Sequence, residues 1–102
     1  MKIIKCLSEL ISEELDDAGK YIDLALKWKD TDQRAANLFS ELSDEEMGHM
    51  ERLHRLATDK ITKYRAEKGD PPADMMAVYN YLHEKHVEKA AEIRIKQNMY
   101  KV

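Results

Sequence analysis

Residues 3–28 read IIKCLSELISEELDDAGKYIDLALKW, and the spacing of their apolar and small side chains decides the fold class. Ile3, Leu7, Leu10, Ile11, Leu15, Ala18, Ile22, Ala25 and Trp28 recur with a period near 3.6. That is the repeat of one helical face, and it is sustained over about 26 residues. Gly19 lies inside the pattern and costs roughly 1 kcal/mol relative to alanine, too little to end so long a helix. Lys29-Asp30-Thr31-Asp32 follows as a polar turn and offers an N-cap to the next segment.

The second segment, from about Gln33 to Lys68, carries a face of Ala35, Leu38, Phe39, Leu42, Met50, Leu53, Leu56, Ala57, Ile61 and Tyr64. Ser43 and Glu46 have the spacing of a capping box that would split it. The apolar phase runs on through that point, so one unbroken helix is expected. Lys68-Gly69-Asp70-Pro71-Pro72 then supplies a basic last turn, a glycine stop and a stiff corner. The third helix runs from about Ala73 to Met99, with Met75, Met76, Tyr79, Leu82, Val87, Ala90, Ile93 and Tyr100 as its apolar set. The expected fold is all-α: a single helical domain over residues 1–102, built as a long antiparallel hairpin plus a third helix.

Composition narrows the function. The 102 residues carry a formal charge of −3 with both signs mixed along the chain, so no basic face offers a nucleic-acid footprint. A single cysteine, Cys6, excludes an internal disulfide and a cysteine-built zinc or iron–sulfur site. Its apolar neighbours mark it as a small core residue. No apolar run is long enough to span a membrane, and the opening MKIIKCLSELISEELDD turns acidic before a signal core develops. A cytoplasmic protein is expected. A chain of this size buries only about two-thirds of its unfolded surface. Long helices in so short a chain cannot cover their own apolar faces, so a homodimer or higher homo-oligomer is expected.

Three polar residues interrupt the apolar stripes. On the first helix the row Leu7, Leu10/Ile11, Ala18, Tyr21/Ile22, Ala25 has Glu14 at its centre. On the second, the row Phe39, Leu42, Leu53, Leu56 contains Glu46 and His49, an E-x-x-H whose two side chains leave the same side of the helix. If the hairpin turns at residue 30, Glu14 and Glu46 are equidistant from the turn and sit at one height, about 24 Å away at 1.5 Å per residue. His49 lies one turn further along, and Tyr21 two turns from Glu14 on the same side. Buried carboxylates without partners cost several kcal/mol, so the trio requires compensation. Three ligands make half of a two-metal site, and two copies of the chain would supply Glu14, Glu46 and His49 twice. Mixed carboxylate and imidazole ligands suit iron or manganese and do not firmly exclude zinc.

On Glu14, Tyr21 and Glu46-x-x-His49, the chain resembles the ferritin-like superfamily of ferritins, bacterioferritins and rubrerythrins. It is most similar to the half-size members that assemble a four-helix bundle from two subunits, as encapsulated ferritins do. The resemblance covers roughly Leu7 to Tyr64. It implies a homodimer, two irons per dimer bound by Glu14, Glu46 and His49, a catalytic Tyr21 beside them, and a ferroxidase-like oxidation of Fe(II) by dioxygen or peroxide. The chain departs from that pattern in having one E-x-x-H, a long third helix, and no targeting tail after Tyr100-Lys101-Val102, so loading into a compartment shell is not expected.

Other readings stay open at this level. Glu13 or Glu45 could replace its neighbour as ligand, and a buried stripe rotated toward Met47 and Met50 would leave Glu46 and His49 on the surface. His83 and His86 share a face of the third helix and form a candidate surface metal pair. Glu88 and Glu92 are candidate extra ligands. Without a metal, the chain reads as a helical assembly module; with a metal and no turnover, as a metal-binding protein.

Overall fold

The computed structural model contains three α-helices and no strand: α1 Lys2–Trp28, α2 Gln33–Lys68 and α3 Ala73–Lys101. α1 starts one residue earlier, and α3 ends two residues later, than the apolar periodicity marks, because no proline or glycine stops the ladder there. The Asp32 carboxylate accepts from the Ala35 amide at 3.0 Å and caps α2. At the other end Gly69 takes a φ of 82° and its N–H donates to the Arg65 carbonyl at 3.1 Å. An L side chain is strained in that left-handed conformation, which explains the glycine. No capping box divides α2: the Ser43 hydroxyl donates instead to the Ala18 carbonyl of α1 at 2.8 Å.

α1 and α2 form an antiparallel pair in which Glu14 faces Glu46, Ala18 faces Ser43 and Tyr21 faces Phe39. α3 then runs parallel to α1, in a register that barely drifts. The pairs Met1–Met75 and Ser12–His86 are separated by 74 residues, and Asp16–Lys89 and Asp23–Lys96 by 73. The bundle measures 55 × 20 × 18 Å. At about 1.5 Å per residue, the 36 residues of α2 span that whole length.

Two apolar clusters fill the seam. One gathers Ile11, Leu15, Ala18, Ile22 and Ala25 of α1 with Met47 and Met50 of α2 and Ala90 and Ile93 of α3. The other, nearer the open end of the hairpin, holds Ile4, Leu7, Ala57 and Ile61. The alanines let the helix axes approach closely, and methionines fill the irregular gaps between them. At the centre Ser43 both donates to Ala18 and accepts from Gln97 Nε2 at 3.0 Å, so one buried hydroxyl ties all three helices together.

Three sequence-based assignments need correction. On α2 the row that α3 and α1 cover is Ala36, Ser40, Ser43, Met47 and Met50, while Leu38 and Leu56 are 53% and 43% exposed. The buried stripe is therefore rotated toward Met47 and Met50, because α3 docks on the α1 side of the hairpin and lies mainly against α1. Val87 on α3 is exposed for the same reason. Cys6 is exposed rather than a core residue, since it lies outside the Ile4–Leu7–Ile11 row that meets the neighbouring helices. In consequence, one face of the hairpin is not covered by α3. Leu10, Trp28, Leu38 and Leu56 are exposed, and Tyr21, Phe39, Leu42 and Leu53 are half-buried. With 19 of 102 residues buried, the core of one chain is thin. No helix is long and apolar enough to cross a membrane.

Candidate metal centre

Glu14 sits midway along α1, and Glu46 and His49 occupy successive turns of α2 opposite it. Helical spacing puts Glu46 and His49 on one side of α2, and the antiparallel register brings Glu14 level with them. One donor atom from each residue lies within 4.8 Å of the other two. His49 Nδ1 is 3.6 Å from Glu14 Oε2 and 3.7 Å from Glu46 Oε2. These separations are too long for hydrogen bonds. They are close to the edges of a coordination polyhedron, since donors bound to one ion at about 2.0–2.2 Å stand roughly 3 Å or more apart.

Burial makes the arrangement directional. The two glutamate side chains are 25% and 21% exposed, and the His49 ring is 53% exposed, so the carboxylates form the floor and the imidazole the rim. Glu14 Oε2 is fully buried and has no hydrogen-bond partner. An acceptor left in that state costs on the order of 1–3 kcal/mol. Two carboxylates against one imidazole also leave the spot negative. A cation satisfies both conditions, and Glu14, Glu46 and His49 can coordinate a single metal ion. An open groove of about 370 Å³, lined by Glu14, His49, Arg52, Leu53 and Leu56, gives access from the uncovered face.

The other candidates fall elsewhere. Tyr21 stacks its ring on Phe39 at a centroid separation of 6.4 Å. Glu13 and Glu45 are exposed and stand outside the cluster. Glu88 approaches Lys85 on its own helix at 3.8 Å, and Glu92 is exposed. His83 and His86 lie on the far side of the Ile11–Met50 wall, in a cleft between α2 and α3, together with His54. Burial, reinforced by His83, lowers the pKa of His54; burial, His83 and His54 lower that of His86. Burial likewise raises the Tyr79 phenol, partly offset by a hydrogen bond with Thr58.

The sequence reading passed over His54. The signal was available: folding α3 back about residue 70 puts His83 and His86 level with residues 55 to 58, within about one turn of His54. No family model matches the chain, and no curated protein or solved structure does so either.

Proposed function

We propose that the chain is a metal-binding protein whose Glu14, Glu46 and His49 hold a first-row divalent cation. Iron or manganese fits the carboxylate-rich donor set better than zinc. One observation carries the reading: the buried, unpartnered Oε2 of Glu14 faces Glu46 and His49 across the hairpin. A helical assembly module has no use for an acceptor buried in that way.

A second reading is favoured by where the trio sits, on the hairpin face that α3 leaves uncovered, among exposed Leu10, Leu38 and Leu56. Two copies joined there as a homodimer complete a four-helix bundle, in the manner of half-size ferritin-like proteins, and bring two sets of ligands together. In that assembly Glu14, Glu46 and His49 of each chain would hold the metals. Bound iron supplies the redox chemistry that oxidises Fe(II) with dioxygen or peroxide. The protein fixes the ligand geometry and excludes bulk water with its leucines, and Tyr21, two turns along α1 from Glu14, is the residue proposed to act beside the site.

Anaerobic Fe(II) titration of the apo-protein, followed by air and read by native mass spectrometry, tests both readings. One iron per chain establishes the binding site. Two per dimer, with rapid growth of ferric absorption, adds the oxidase reading. Uptake without that absorption leaves a binding protein, and absence of uptake removes both.

A further inference from the structure

We infer that the groove beside Glu14 and His49 binds a small organic carboxylate, with one oxygen on the metal and the other held by Arg52. Such a ligand presupposes a cation on Glu14, Glu46 and His49, and so rests on the metal-binding reading.

Glu46, His49 and Arg52 follow one another at intervals of three along α2, so each is the next one's neighbour on the helix surface. Arg52 lies one turn beyond His49, about 4.5 Å further along the axis. It lines the open groove of about 370 Å³ together with Glu14, His49, Leu53 and Leu56, and is the one permanent cation among them. Yet its guanidinium pairs with no carboxylate of the chain, Glu14 included. Elsewhere Arg65 approaches Asp70, and Arg94 donates to Glu51 at 2.7 Å.

A guanidinium beside a cation site is repulsive on its own. A divalent ion, two carboxylates and one imidazole sum to zero charge, so Arg52 leaves the filled groove with an excess positive charge. One monoanion neutralises it. Three protein donors also leave positions open on a first-row ion, and the open side is the exposed His49 rim. A planar carboxylate meets both demands. One oxygen binds the ion, and the other accepts from the guanidinium, whose planar fork matches that geometry. Leu53 and Leu56 complete the wall and offer a surface to the ligand's hydrocarbon part. That selects an organic carboxylate over phosphate, whose remaining oxygens would face the leucines unpaired.

The rival occupant of Arg52 is a carboxylate on a second copy of the chain, since the groove opens on the face that α3 leaves uncovered. Butyrate titration of the Mn²⁺-loaded full chain separates the two, read by water-proton relaxation and calorimetry, with inorganic phosphate in a parallel arm. Butyrate is expected to bind the Mn²⁺-loaded protein, to displace metal-bound water, and to leave the metal-free protein untouched. Arg52→Gln is expected to weaken butyrate by about tenfold or more without weakening Mn²⁺, and Arg52→Lys to restore only part of the loss. Phosphate is expected to bind more weakly than butyrate. Mn²⁺ retained without any effect of butyrate, butyrate affinity unchanged in Arg52→Gln, or phosphate binding as tightly as butyrate overturns the carboxylate site and leaves the metal centre standing. Arg52→Gln that lowers self-association with butyrate affinity unchanged assigns Arg52 to the second copy instead. No Mn²⁺ uptake by the unsubstituted chain overturns the metal reading and the carboxylate site with it.

Discussion

His49 Nδ1 stands 3.6 Å from Glu14 Oε2 across the α1–α2 hairpin, and that oxygen is buried without any hydrogen bond. The chain by itself therefore carries a local defect that a bound cation is able to satisfy. Replacing Glu14 with leucine removes the orphaned acceptor and extends the apolar face. Glu14→Leu is expected to raise apo stability by about 1 kcal/mol in urea unfolding. The same variant is expected to lose metal-linked stabilisation, which for the unsubstituted chain is about 2.7 kcal/mol at a hundredfold excess over Kd.

Ser43 is the other polar point in the seam, donating to Ala18 of α1 and accepting from Gln97 of α3. Ser43→Ala leaves the Gln97 amide buried and unpaired, at an expected cost of about 1–3 kcal/mol. Adding Gln97→Met is expected to recover most of that loss. A double-mutant cycle by chemical denaturation reads the coupling directly, and additive losses would contradict a shared bond.

Much of this was legible in the sequence. The 3.6 period over residues 3–28 and the Gly69-Asp70-Pro71-Pro72 joint mark the helices, and equal spacing about residue 30 places Glu14 opposite Glu46. The side on which α3 docks was not legible. α1 carries two adjacent apolar rows, one through Leu7, Ile11, Leu15 and Ala18 and another through Leu10, Tyr21 and Trp28, and periodicity alone does not say which row a neighbour covers. That choice rests on the Ala18, Ser43 and Gln97 bonds and on the parallel register of α1 and α3, which are tertiary facts. The same gap hid His54, whose significance lies in a partner helix and not in its own segment.

Stability is expected to depend on pH through His54 and His86. Unfolded, both titrate near 6.5; folded, both titrate lower. Between those values the unfolded chain binds more protons, so their contribution is fully present above about 6.5 and declines as pH falls toward the folded values. Solvent screening in the open cleft keeps the effect modest. Thermal midpoints from pH 7.5 to 5 are expected to fall, and a shallower fall in the H54Q/H86Q protein identifies the source.

The three glycines should separate cleanly. Gly48 lies within α2, and a Cβ built there meets nothing within 4 Å. Gly19 would place a Cβ 3.8 Å from Ile93, an ordinary contact. Alanine at either position is expected to stabilise the protein by about 0.4–1 kcal/mol. Gly69→Ala is expected to destabilise it, because φ there is 82°. Thermal melts of the three single variants check the order.

The most direct test of the metal centre is anomalous diffraction from crystals grown with Mn²⁺ or, anaerobically, Fe²⁺. The expected result is a peak bonded at about 2.0–2.2 Å to carboxylate oxygens of Glu14 and Glu46 and to an imidazole nitrogen of His49. A second such peak roughly 3.5–4 Å away, across a two-fold axis, would extend the result to the paired centre. Crystals saturated with metal that show no anomalous density among Glu14, Glu46 and His49 would contradict the assignment.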